Sequence, residues 1–387
     1  MIDAYYSLGC DSTDIFAGTR IETYSDYKKY MNKYNVIHVD VSTFWDSYKD
    51  NLIEKIQEYI YKDFRREFGD KLNYEDSLSY NLMVIYKDTG IPFVIIVDEC
   101  DCVIRNSKEV ELVHKYLQFL HSLFKSEESK SFLALAYITG ILPIKKIKDE
   151  SALNNFTEFT MIDSYPITRF FGFTGWIEAV CTFREVKQLC EQFQLDMDNT
   201  KAWYNGYLIN GLHMYNPNSV SMAIERHRFD SYWKNTSSFA SINTFITMNY
   251  DGLKDDIMTM LSDGMVYVNT DTFQNDFVSI SSKDEALTAL IHLGYLGYNI
   301  DEKNAFVPNF EVKKAYQAAL CTSGWSKVAD SISRCDELLQ ATINGDSEKV
   351  AELIEKAHDA YTSILKYNDE NSLSCVLSMA YFSDRIA

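Results

Sequence analysis

The stretch Ile91-Pro-Phe-Val-Ile-Ile-Val-Asp-Glu-Cys-Asp-Cys102 decides how the chain is read. Residues Phe93 to Val97 form an unbroken apolar row rich in Val and Ile. Such a run predicts a strand buried on both faces, as in a parallel sheet. Asp98 and Glu99 follow at once, at the carboxyl end of that strand. Open α/β sheets bind their ligands at this end. On these residues alone a second reading stands beside the functional one, because many buried strands end in an acidic residue that only solvates a turn.

Working outward, Asn35 to Thr43 carries Val36, Ile37, Val39 and Val41 and predicts another strand. His38 lies inside it and reads as a core-edge histidine rather than a ligand. Phe132 to Ile138 predicts a third strand, ending in Thr139-Gly140. Thr139 therefore sits at its strand end as Asp98 does on the preceding strand. Phe156 to Met161 predicts a fourth. Apolar residues at helical spacing fill Met1 to Ser7, Tyr24 to Lys33, Phe44 to Phe68 and Ser77 to Asp88. Asn106 and Glu109 have capping-box spacing, ahead of a stripe of Val110, Val113, Leu117, Leu120 and Phe124. Alternating strands and helices predict an α/β domain over residues 1–165 with a largely parallel sheet.

Past residue 165 helical segments dominate, with short strands expected around Met265 to Val268 and Ala305 to Pro308. Trp203-Tyr-Asn-Gly-Tyr207 and Tyr215-Asn-Pro217 read as turns pinned by packed rings. From Ser331 the chain reads as helix again. Asp346 caps a segment with Val350, Leu353, Ile354, Ala357 and Tyr361 on one face, and Leu373 to Phe382 forms a last helix. The organisation expected is thus 1–165, 166–330 and 331–387.

With 387 residues the chain has ample length for two or three domains. Its net charge of −19 works against a nucleic-acid surface spread over the whole protein, since phosphate contacts need Lys and Arg. The eight cysteines include no Cys-x-x-Cys pair, which argues against a zinc ribbon or a redox motif. Scattered thiols suit a reducing cytosol, so the expected location is cytoplasmic. No apolar stretch is long enough to span a bilayer.

An acidic pair at such a strand end has defined work in P-loop NTPases. The first carboxylate holds Mg²⁺ with the nucleotide phosphates, and the second orients the attacking water. Asp98 and Glu99 take those places by position. The partner motif is missing: of 15 glycines none is followed by Lys, so the sequence has no Gly-x-x-x-x-Gly-Lys-[Ser/Thr] to cradle phosphates. Gly-x-Gly-x-x-Gly, His-Glu-x-x-His and Gly-x-Ser-x-Gly are also absent. The seven histidines include no i, i+4 pair. Asp98, Glu99 and Asp101 make a poor metal cluster, because alternate strand residues face opposite ways.

The chain resembles AAA-ATPase-like proteins that carry a C-terminal PD-(D/E)XK nuclease-like domain, a bacterial family common in gut anaerobes. The resemblance runs through Ala4-Tyr-Tyr-Ser-Leu-Gly-Cys-Asp-Ser12, Val97-Asp-Glu-Cys-Asp101 and Ala134-Leu-Ala-Tyr-Ile-Thr-Gly-Ile-Leu-Pro-Ile144. It continues through Ser151-Ala-Leu-Asn154, Trp203 to Tyr207, Asp251-Gly-Leu-Lys-Asp-Asp256 and His292-Leu-Gly-Tyr295, and reaches Lys366-Tyr-Asn-Asp-Glu-Asn-Ser-Leu-Ser374.

The resemblance implies a P-loop NTPase-like sheet missing its first strand, then a helical, winged-helix-like region and the first helices of a nuclease-like domain. It implies ATP and Mg²⁺ as cofactors, with Asp98 as the Walker B metal ligand, Glu99 activating water and Thr139 as a sensor of the γ-phosphate. Similar proteins carry the P-loop directly upstream of the helix that begins here at Met1. Glu370 falls at the acidic position of the first nuclease helix, but the metal-binding Asp and the Glu-x-Lys are not in this sequence. The segment Phe173-Thr-Gly-Trp-Ile-Glu-Ala-Val-Cys-Thr182 departs from the pattern by a small insertion before the helix Phe183 to Leu189. The expectation is an ATPase-like chain with little or no hydrolysis of its own. The alternative is an inactive scaffold that binds a protein partner or another copy.

Overall fold

A computed structural model describes residues 1–107, 109–143, 153–170, 172–174, 185–233, 252–273, 280–322 and 335–361, with Phe245 and Tyr250. The expected helix at Leu373 to Phe382, Glu370 and the insertion after Thr174 lie outside the described residues. The chain divides into two compact units, Met1–Glu158 with Gln274–Val278, and Phe159–Phe273 with Ser279–Ala387.

The first unit is built on a three-stranded parallel sheet in the order β1-β2-β3. Its strands are β1 (Asn35–Asp40), β2 (Phe93–Asp98) and β3 (Leu133–Ile138). β2 is the middle strand, and Phe93 through Val97 are all buried, as the apolar row requires. Helices connect the strands: α1 (Ile2–Tyr6) precedes β1, α2 (Val41–Tyr48), α3 (Leu52–Phe68) and α4 (Leu78–Thr89) link β1 to β2, and α5 (Cys102–Asn106) and α6 (Val110–Lys125) link β2 to β3.

Leu52, Ile56, Ile60 and Phe64 recur at helical spacing along α3 and enter the same core as Ile95, Val97 and Leu120. Ser77 caps α4 by accepting from the Tyr80 N–H at 3.2 Å, and left-handed Gly90 ends it. Val113, Leu117, Leu120 and Phe124 meet the core, but Val110 is exposed at the first position of α6.

Three expectations need correction here. Asn106 does not open α6; it closes α5, where its side-chain amide donates to the Cys102 carbonyl at 2.9 Å. Glu109 takes the cap position instead. Phe156 to Met161 forms no strand. The Thr160 hydroxyl accepts from the amides of Ile162 and Asp163, and the Thr160 N–H donates to the Asp163 carbonyl at 2.8 Å, so a local turn captures backbone groups that a sheet would need. His38 is not a core-edge side chain either. It is half-exposed, with Nδ1 2.6 Å from the Asp3 carboxylate on α1.

Among the described residues of the second unit two small antiparallel sheets stand among helices. One joins β4 (Phe173–Thr174), β5 (Tyr207–Ile209) and β6 (Leu212–Tyr215). The other joins β7 (Val266–Tyr267), β8 (Gly297–Asn299) and β9 (Asn304–Phe306). Only β7 and β9 fall where strands were expected. The β5–β6 turn is Asn210-Gly211, both with positive φ (49° and 76°), a two-residue hairpin loop whose sequence signal is strong. The helices are α7 (Glu185–Phe193), α8 (Met197–Tyr204), α9 (Pro217–Arg226), α10 (Leu253–Leu261), α11 (Lys283–His292), α12 (Phe310–Thr322), α13 (Cys335–Ile343) and α14 (Ser347–Tyr361). Asn216-Pro217 starts α9 as N-cap and first residue rather than forming a free turn. Asp346 caps α14 as expected, accepting from the Lys349 N–H at 3.0 Å.

Glu311, 1% exposed, ties this unit together. It accepts from the Ser219 hydroxyl (2.8 Å) and from the amides of Tyr232 (2.7 Å) and Trp233 (2.9 Å). Burial pushes its carboxyl above the ordinary range, against the pull of those donors. Between the ordinary value and the raised one, the folded state keeps a proton that the unfolded state has lost, so stability falls as pH rises through that window. Glu311→Gln removes that proton equilibrium and keeps an oxygen for both amides. Urea midpoints measured from acid to neutral pH should show the variant gaining on the wild type as pH rises. Parallel curves would contradict this.

Candidate functional site

The carboxyl ends of β1, β2 and β3 bring three polar residues to one edge. The β1–β2 register sets Asp40 opposite Asp98, and the β2–β3 register sets Val97 opposite Ile138, the residue before Thr139. The Thr139 hydroxyl donates to Asp98 Oδ1, and the Glu99 N–H donates to the same oxygen at 3.1 Å. The backbone repeats the link: the Thr139 N–H donates to the Val97 carbonyl and the Cys100 N–H to the Thr139 carbonyl, each at 2.9 Å. Of the residues singled out from sequence, Asp98 and Thr139 thus meet through their side chains, while Glu99 joins them through its backbone N–H and turns its carboxylate to Arg105.

Asp40 is engaged differently. It caps α2, accepting from the amides and hydroxyls of Ser42 and Thr43. Burial works to raise its carboxyl, but these donors outweigh burial and hold it below the ordinary carboxylate range.

Glu99 adopts a left-handed backbone (φ 51°), uncommon for a residue with a side chain. The chain turns sharply there from β2 into α5. Burial raises the Glu99 carboxyl, the Arg105 guanidinium opposes this, and the charges of Asp101, Asp98 and Asp40 add to the rise, so the net shift is upward. Arg105 Nη2 lies 2.7 Å from Glu99 Oε2, while Arg105 Nε lies 3.0 Å from Asp101 Oδ2. Asp101 is fully buried and also accepts from the Leu142 N–H at 2.9 Å. Its other oxygen, Oδ1, is buried without a hydrogen-bond partner among the described residues. Gly140 leaves room for it: a Cβ there would sit 2.7 Å from that oxygen.

Sequence reading missed this Asp101–Arg105 pair. Its one signal was the i, i+4 spacing of an acid and a base at the start of a helix. Cys100, in the same turn, is inert: burial pushes its thiol up to about 12.

Among the described residues no group of three or more His, Cys, Asp or Glu side chains could hold a metal ion. Asp98 and Asp101, drawn together in the sequence, diverge: one meets Thr139, the other Arg105 and Leu142. Asp98 keeps Oδ2 outside these hydrogen bonds. One carboxylate suits Mg²⁺ only when water and phosphate oxygens supply most of the shell.

Residues 1–148 match a family model described as a predicted AAA-ATPase. Asp98, Glu99 and Thr139 all lie in this AAA-ATPase-like stretch. An uncharacterized protein from the vnfD 5′ region of Azotobacter chroococcum mcd 1 is 28% identical over 151 residues. The match covers 38% of this chain and 28% of that relative's length. No solved structure matches the chain. The resemblance to nuclease-like domains has no counterpart in these matches. No helix among the described residues is long and apolar enough to cross a membrane.

Proposed function

We propose that the first unit is a P-loop NTPase-type unit that keeps the Walker B and sensor positions and lacks its own phosphate cradle. The hydrogen bond from Thr139 to Asp98 across neighbouring strand ends carries this reading. In it, Asp98 would hold Mg²⁺ brought with the phosphates of ATP, the ion supplying charge neutralisation. Glu99 would accept a proton from a water on the same edge, its raised carboxyl poised for that exchange. Thr139 would hold the Asp98 carboxylate through Oδ1 and leave Oδ2 for the cation. The family match over residues 1–148 supports the ATPase-like class. The nuclease-like reading of 331–387 remains part of this proposal through sequence resemblance alone.

Backbone amides and a Lys must grip the phosphates, and no Gly-Lys exists in this sequence. The purified chain should therefore release no phosphate from ATP with Mg²⁺, and Glu99→Gln should be indistinguishable from it. Turnover that Glu99→Gln abolishes would overturn the claim of a missing cradle.

A second reading, an interaction module, is favoured by one observation. β3 is paired on one side only among the described residues, and Ala134 and exposed Leu135 leave its edge apolar. Such an edge accepts another strand. Sedimentation of the chain alone, with and without Leu135→Lys, tests self-association there.

A further inference from the structure

A cleft of about 400 Å³ in the second unit is formed by the end of α8, the start of α12 and the turn after α10. One buried acceptor in its lining is unmet, and an ion pair and a helix cap lie beside it. Asn205, which lines the cleft and is 8% exposed, has a buried side-chain oxygen with no hydrogen-bond donor among the described residues. Lys313 is buried to 5% exposure while carrying a charge, and its ammonium meets the Asp263 carboxylate. Asp263 holds a left-handed backbone with φ 64°. The ion pair and the left-handed residue serve the fold, since Asp263 ends α10 with its N–H donating to the Met260 carbonyl at 3.2 Å and the Gly264 N–H to the Thr259 carbonyl at 2.9 Å. The unmet Asn205 acceptor works against folding and points to a ligand.

The backbone around Asn205 is fixed. The Asn309 side-chain amide donates to the Asn205 carbonyl at 2.7 Å, and the Asn205 N–H donates to the Lys201 carbonyl at 3.2 Å. Charge on the lining is balanced: Asp198 and Asp263 face Lys201 and Lys313. Asp198 and Lys201 are exposed on α8 and form no ion pair among the described residues. A polyphosphate would meet two carboxylates here. A molecule with both signs of charge meets a partner for each, and an ammonium supplies the donor that Asn205 needs.

We propose that this cleft binds a small amino-acid-like zwitterion, its ammonium donating to Asn205 Oδ1 and its carboxylate facing Lys201. The site is separate from the strand-end residues and does not depend on the ATPase-like reading.

The test uses the full chain, labelled with ¹⁵N, and individual free L-amino acids at millimolar concentration, with inorganic phosphate and ATP as comparison probes. Saturable shifts of the amides of residues 198–206 and 309–313 with at least one amino acid are expected. Affinity should fall about tenfold in Asn205→Ser and in Lys201→Met, the size expected for losing one charge-assisted hydrogen bond. Lys201 is exposed, so its variant keeps the test valid if Asn205→Ser does not fold. No shift with any amino acid overturns the proposal, as do shifts that neither folded variant weakens. Phosphate or ATP perturbing these amides while amino acids do not overturns the ligand class and with it the proposal.

Discussion

Asp101→Ala should lower the stability of the first unit by about 3 kcal/mol, the typical cost of removing one partner from a buried charge pair. Three interactions end together. Arg105, with a 19% exposed side chain, loses its 3.0 Å partner and is left with Glu99 alone. The Leu142 amide loses its acceptor, and Leu142 is only 4% exposed, so water does not replace it. The space beside Gly140 empties as well. Asp101→Asn has the same shape and keeps an oxygen for Leu142. It gives up the charge facing Arg105 but can turn an N–H toward the position of the unpartnered Oδ1. Its cost should be about half that of Ala. Urea unfolding gives the two values, and hydrogen exchange at the β3 amides should report the loss locally. An Ala variant within about 1 kcal/mol of wild type would mean that the pair does not hold the loop after β3 to the turn after β2.

The sequence was legible where one physical pattern dominated. Phe93 to Val97 reads as a strand buried on both faces, and with β2 and β3 parallel and Val97 opposite Ile138, Asp98 and Thr139 meet. Legibility failed where a local hydrogen bond competed with the pattern. Phe156 to Met161 has the Phe and Thr content of a strand, but the Thr160 hydroxyl takes the neighbouring amides. Asn106 and Glu109 have the spacing of a cap, yet Cys102–Asn106 is itself a helix that the spacing rule does not register. At the site, the Glu99–Arg105–Asp101 bridge depends on a left-handed turn at Glu99, and nothing in the composition of that turn announces it. In the second unit Asn210-Gly211 is a hairpin signal that stands among stronger aromatic landmarks. Its structural use is double: the Asn210 side chain also accepts from the Ser164 amide and the Thr168 hydroxyl, each at 2.9 Å.

Gly206→Ala should be the most damaging single methyl in the second unit. Gly206 has φ 112°, a region that residues with a Cβ rarely enter. Space is the larger obstacle: a Cβ would lie 1.9 Å from the Pro308 carbonyl oxygen and 2.6 Å from its carbonyl carbon. Both are backbone atoms, so no side-chain rotation relieves the overlap. The chain can respond only by separating the segment after α8 from the segment before α12. That separation breaks the 2.7 Å hydrogen bond from Asn309 to the Asn205 carbonyl, which lies between those segments. It also displaces Asn309 as the cap that accepts from the Val312 N–H at 3.0 Å. Backbone strain and overpacking each cost about 1–3 kcal/mol, so the sum should reach about 3 kcal/mol or more. Gly211→Ala is the matched control, since Gly211 also has positive φ (76°) but a Cβ there meets nothing within 4 Å. It should show the cost of conformation alone, about 1 kcal/mol. The difference between the two variants in urea unfolding isolates the clash. Because Gly206 lines the same cleft as Asn205, Gly206→Ala should also abolish amino-acid binding there, whereas Gly211→Ala should leave it intact.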